Sequence, residues 1–168
     1  MQKFPISLVA VLALLACATV PDTGLRRAGA PISSSTAFDP ARFAGQWWLV
    51  AAYGAEAGCG AVGENWVQTG PGRFEVTGQQ CGPLGRGGFR TEASVVGPGR
   101  IRRGSATGDE VLWVLWVDAD YRVAVIGAPD GRFGRVLSRT PAPRADLMQA
   151  ARDVLRFNGY DPAALRAF

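Results

Sequence analysis

The chain has 168 residues, 48% of them hydrophobic and 19% charged, a balance that excludes a disordered chain and suffices for one globular domain with its own core. Its net charge of +4 comes from arginines scattered along the sequence, with no basic block interleaved with aromatics, which argues against a nucleic-acid groove. Histidine is absent, so a Ser-His-Asp triad, a Cys-His pair and the usual zinc and haem ligands are excluded too.

Residues 1–16 carry the parts of an export signal: Lys3, an apolar run from Ile6 to Leu15, and the small Ala16 before a cleavage point. The run is shorter than the roughly 20 apolar residues of a permanent span, so its removal is expected. Leu14-Leu15-Ala16-Cys17 resembles a bacterial lipobox, which implies a lipid on Cys17 and a membrane partner through that anchor. Ala18 in place of an aspartate implies, by resemblance to lipoprotein sorting, the outer membrane with the protein facing the periplasm. The alternative is cleavage without lipid and a soluble periplasmic protein. Residues 17–37 are rich in Pro, Gly, Ser, Thr and Ala and predict a flexible tether. The folded domain is expected over 38–168.

Phe38 to Gly54 opens that domain with an Asp39-Pro40 turn, Gly45, the paired Trp47 and Trp48, and an apolar run. Read as a strand, it sends Trp47, Leu49, Ala51 and Tyr53 to one face and Trp48, Val50 and Ala52 to the other. Both faces are apolar, so both must be covered. Further strand-like runs follow at Glu64–Thr69, Arg73–Gln80, Gly88–Val96, Arg100–Gly104, Glu110–Val117, Tyr121–Gly127 and Phe133–Ser138, divided by Gly, Pro and Asp turns. Helical periodicity comes only afterwards, in Leu147, Ala150, Ala151, Val154 and Leu155 with Phe157 at the end, and Asn158-Gly159 supplies the stop. The fold class expected is all-β: an eight-stranded up-and-down antiparallel barrel with one C-terminal α-helix packed outside.

Gly45-Gln46-Trp47 resembles the G-x-W signature of the lipocalins, with Phe43 and Trp48 placed as in bacterial members. Asp118-Ala119-Asp120-Tyr121 is similar to that family's T-D-Y turn, with Ala119 replacing the threonine. Leu137-Ser138-Arg139-Thr140-Pro141 resembles the L-S-R-T-P of bacterial lipocalins, and Gly159-Tyr160-Asp161 their segment after the helix. The resemblance implies that Arg139 lies across the Trp47 indole, closing the barrel beside Gly45 as a structural brace.

With Cys17 taken by lipid, Cys59 and Cys81 remain. They flank the Gly70-Pro71-Gly72 turn almost symmetrically, so a hairpin brings them together and an oxidising periplasm favours a disulfide. Two free thiols are the alternative. The carboxylate pairs, Asp109-Glu110 among them, sit in turns and read as solvated acids, and no phosphate loop is present. No enzyme activity and no cofactor are expected.

The remaining function is binding in the barrel, with lining residues chosen by parity: Leu49, Ala51, Tyr53, Val62, Glu64, Trp66, Phe74, Val76, Val123 and Val125. Glu64 is the odd member, because a buried carboxylate must be paired or neutral. It is therefore expected at a wet mouth or against a polar ligand group. Resemblance to the lipocalins implies a hydrophobic small molecule, a fatty acid or a lysophospholipid. The competing reading is a structural or envelope-interaction lipoprotein whose barrel is filled by its own side chains.

Overall fold

The structure is a computed structural model that describes residues 24–58, 60–82, 85–105 and 108–168. Cys17 and Cys59 lie outside these residues and Cys81 is described in its backbone alone, so the lipid and the disulfide expected for them fall outside the described side chains.

Asp39 caps a single helical turn, α1 (Pro40–Phe43), by accepting from the amides of Ala41 and Arg42, and Pro40 fits its first position. This turn directs Phe43 into the core, where it is fully buried. Then come β1 (Gly45–Ala52), a 3-10 turn (Gly54–Gly58), β2 (Val62–Gly70), β3 (Arg73–Gly82), β4 (Gly85–Gly97), β5 (Arg100–Ser105), β6 (Gly108–Val117), β7 (Val123–Gly127) and β8 (Gly134–Ser138). Each strand pairs antiparallel with the next, and β1 pairs with both β2 and β8, through Leu49↔Val62 and Leu49↔Leu137. The sheet thus closes on itself as the eight-stranded barrel the sequence predicts.

The helix α2 (Ala145–Phe157) follows and lays Met148, Ala151 and Leu155 on the outside of the barrel. They complete an outer core with Val50, Ala51, Leu115, Val123, Val125 and Val136. Phe157, expected to end the apolar stripe of this helix, is instead 72% exposed. Beyond the helix Gly159, at φ +84°, turns the chain so that Tyr160 plugs the β7–β8 end. There its hydroxyl donates to the carbonyl of Phe133 at 2.8 Å. A short β9 (Arg166–Ala167) pairs antiparallel with β1 at Ala51 and Ala52.

The stretch expected as a tether is, from Gly24 onward, bound to the barrel as a strap. The amides of Leu25, Arg27 and Ser35 donate to the carbonyls of Gly131, Gly159 and Val114, and Ser33 donates to the Asn158 side chain. Arg26 is buried, with its guanidinium bonded to the carbonyls of Asn158, Pro129 and Ala30, each at 2.7 Å. Glycines make the bed for it: a Cβ on Gly99 would fall 2.6 Å from the Ser35 carbonyl oxygen, and one on Gly159 would fall 2.5 Å from Ala30 Cβ. Composition misses such a segment because main-chain groups and one arginine hold it, with little apolar burial.

Candidate ligand cavity

The closed end is built from the family motifs. Gly45 has φ +99°, and a Cβ there would meet the Arg139 guanidinium at 3.3 Å, so glycine answers to both backbone and space. Arg139 lies 3.8 Å from the centroid of Trp47. Its N–H groups donate to the carbonyls of Gln46, Arg42 and Tyr121. Burial lowers its pKa from the ordinary guanidinium value. The Trp47 indole donates to the Phe43 carbonyl at 2.7 Å, and Phe43, Trp66 and Phe74 stack in edge contacts above it. In the adjoining turn Tyr121 takes φ +58°. Asp118 accepts there from the amides of Arg122 and Val123 and from the Arg122 side chain. Burial alone would raise the Asp118 pKa, but these bonds outweigh it and hold the carboxyl below the usual carboxylate range.

Packing continues upward through Val76, Ala93, Ile101, Leu112 and Val114, so the lower half of the barrel is filled. Above this layer a cavity of about 260 Å³ opens at the end that carries the β1–β2 and β5–β6 connections. Leu49, Val62, Phe89 and Leu137 give it an apolar wall, and Glu56, Glu64, Glu110, Arg103 and Arg135 give it a charged one. Arg103 bonds Glu110 through Nε at 2.9 Å and through Nη2, and reaches Glu64 at 3.4 Å. The other Glu64 oxygen accepts from the Trp66 indole at 2.8 Å. Arg135 pairs with Glu56 at 2.6 Å. Burial works against the Arg135 charge, but Glu56, with smaller help from Glu110 and Glu64, raises its pKa above the ordinary value. Among the described residues three carboxylates face two guanidiniums, a balance of one formal negative charge.

Of the residues chosen by parity, Leu49, Val62 and Glu64 stand in the cavity wall, and Trp66, Phe74 and Val76 lie in the packed interior beneath or beside it. Ala51 and Tyr53 do not face inward. A bulge between Leu49 and Ala51, where β1 slips against β8, inserts an extra residue, and strict alternation fails across it. Both join the outer core, with Tyr53 5.3 Å from the ring of Tyr160. Burial, then the nearby Asp161 and Tyr160, raises the Tyr53 pKa. Val123 and Val125 also lie outside, under α2, while Ala124 and Ile126 point in. Alternation counted from Tyr121 fails here because the left-handed turn at that residue resets the phase before Val123.

Glu110, expected as a solvated turn acid, is instead buried against Arg103. Arg103, Glu110, Arg135 and Glu56 were therefore all missed as cavity residues. In Arg100-Ile101-Arg102-Arg103, placing Ile101 inward puts Arg103 inward too, and that was the signal available. Among the described residues no group of three His, Cys, Asp or Glu is placed to hold a metal.

The profile of the lipocalin-like domain matches residues 38–168. The chain belongs to the lipocalin-like family. Solved lipocalin structures superpose on it. The siderocalin Ex-FABP is 24% identical, with a TM-score of 0.60 over 76% of this chain and 93% of its own. Lobster apocrustacyanin A1 is 13% identical, with a TM-score of 0.60 over 76% and 77%. At these identities the likeness establishes the fold of this lipocalin-like protein. Comparison with curated protein sequences gave no match.

Proposed function

We propose that this lipocalin is an envelope binding protein for a small zwitterionic amphiphile, taken at the barrel mouth and held there without chemical change. Lipocalin barrels of eight strands hold one small ligand, and the cavity supplies the place for it. The observation that carries the reading is the alternation of Glu56, Arg135, Glu64, Arg103 and Glu110 beside an apolar wall of Leu49, Val62, Phe89 and Leu137. A phosphate exchanges for a carboxylate at Arg103 or Arg135, and an ammonium takes the surplus carboxylate.

This ranks the cargoes the family resemblance implies. A lysophospholipid with an ammonium head matches both signs, whereas a fatty acid adds a second uncompensated negative charge to a partly dehydrated site. Volume points the same way, since about 260 Å³ lies just below the roughly 300–1,000 Å³ of ordinary ligand pockets. The site therefore takes a head group and the first carbons, with the rest of the chain leaving through the mouth. Cys17 carries the anchor, in an outer membrane facing the periplasm, and Cys17→Ser is expected to release a folded domain into the soluble fraction.

Titration calorimetry with lysophosphatidylethanolamine and with palmitate tests the cargo. One-to-one binding of the lysophospholipid, at least about tenfold tighter than palmitate, is expected, a difference of about 1.4 kcal/mol. Equal binding of the two would remove the charge argument. Binding of neither would favour the filled-barrel, structural reading, to which the packed lower half lends weight.

A further inference from the structure

The strap decides which end of the barrel a lipid anchor can hold near a membrane. It runs from Ser35, bonded beside Gly99 in the β4–β5 turn of the closed end, up to Leu25 and Arg26, bonded to Gly131 and Pro129 in the β7–β8 turn of the open end. The chain therefore leaves the barrel at the mouth. Seven residue steps separate Cys17 from Gly24, a reach of at most about 25 Å when fully extended. The closed end lies a further barrel height away, on the order of 25 Å for strands of this length and tilt. A free tether beginning at Phe38 would have let either end approach equally; with the strap bound, the closed end reaches the membrane only when the tether is stretched to its full length along the barrel wall. A second observation stands at the same end. Phe157, 72% exposed, precedes Asn158, whose carbonyl is bonded to Arg26, and so belongs to the rim from which the chain departs. A Phe exposed at the end of an amphipathic helix can bury its ring at the boundary between head groups and acyl chains.

We propose that the open end of the barrel faces the bilayer surface, so that the cavity exchanges its ligand directly with the membrane. The proposal rests on the anchor at Cys17 and gives the site of the preceding section its source of cargo. An amphiphile whose head enters the cavity keeps its chain at the lipid surface and never crosses water.

The test uses the full-length lipoprotein, extracted with its anchor and reconstituted into vesicles of phosphatidylethanolamine with a minor share of phosphatidylglycerol. A photo-crosslinking residue is introduced as Asp130→p-benzoylphenylalanine at the open end or as Ala119→p-benzoylphenylalanine at the closed end. Both positions are exposed, so neither substitution disturbs the core. Lipid adducts at position 130 should exceed those at 119 by about fivefold or more. A Gly-Ser insertion of about 20 residues ahead of Gly24 adds about 25 Å of flexible reach and should bring the ratio close to one. Phe157→Ser should lower the adducts at 130 without changing the lipid mass on Cys17. Equal or greater adducts at 119, in protein whose intact mass shows the lipid, would overturn the orientation while leaving the anchor standing. An intact mass without lipid would overturn the anchor and the orientation together.

Discussion

At the closed end Arg139 lies flat on Trp47 and gives its N–H groups to the carbonyls of Gln46, Arg42 and Tyr121, whereas at the mouth Arg103 and Arg135 face Glu110, Glu64 and Glu56. Main-chain carbonyls cannot leave, so the Arg139 contacts persist as long as the barrel does. Carboxylate side chains can rotate away and be replaced by a ligand's own anion, so the mouth contacts are exchangeable. On the proposed reading, the difference separates a brace from a receptor. One residue type serves both, and its acceptors determine which.

The largest effect should come from the brace. Arg139→Ala removes the cation–π contact and strips three carbonyls of their donor, a loss of about 3 kcal/mol, or about 10 °C in melting temperature. Near-ultraviolet circular dichroism would follow it through the Trp47 signal, and a shift below about 3 °C would mean the closed end does not depend on this arginine.

The neighbouring turn tests the same end by pH. Asp118→Asn should cost about 2 kcal/mol at neutral pH through its lost amide bonds. Because the folded pKa of Asp118 is lowered, its contribution is complete above the unfolded value of about 4 and is lost as pH falls through the lower folded value. The gap between parent and variant in denaturant midpoints should therefore narrow below about pH 4. A constant gap would show that geometry rather than charge holds the turn.

At the mouth, Glu110→Gln should cost about 1–2 kcal/mol, since Arg103, buried with it, keeps Glu64 as a second carboxylate partner. Binding should respond in its selectivity. Neutralising the surplus charge brings palmitate to within about threefold of lysophosphatidylethanolamine, against the tenfold preference expected of the parent. A variant that unfolds instead would place the mouth network with the brace and erase the contrast.

The smallest effect has the opposite sign. The Tyr53 hydroxyl is buried with no hydrogen-bond partner among the described residues, so Tyr53→Phe should raise stability by up to about 1 kcal/mol. A melting temperature lowered by several degrees would show that the hydroxyl is satisfied after all.

Much of the fold was legible because its signals are local. Alternation marked β3, the Gly and Pro turns separated the strands, and the spacing of Ala151 and Leu155 marked the helix. Gly45, Trp47 and Arg139 were legible as a motif. The cavity was harder, since its character depends on phase carried through places where phase is lost: the bulge after Leu49 and the left-handed Tyr121. Arginine added a second obstacle. The sequence presents Arg103 and Arg135 as members of a scattered basic set, and only pairing across strands reveals carboxylates waiting opposite them. The strap was illegible for a related reason, because Arg26 binds carbonyls and a carbonyl has no residue letter.

Closing the barrel through β1 and β8 joins Trp48 to Ser138, a long way along the chain, and this has a consequence for how the protein folds. The hairpins from β2 to β8 can form from neighbours in sequence, but the seam cannot, since its loop entropy is lost before any of its bonds is made. Until that seam zips, β8 presents a bare strand edge in a chain with two apolar faces. Once it has zipped, each of the described strands β1 to β8 has a neighbour on both sides and offers another molecule no long edge. The interval before closure, rather than the finished barrel, is therefore when this protein is exposed to aggregation.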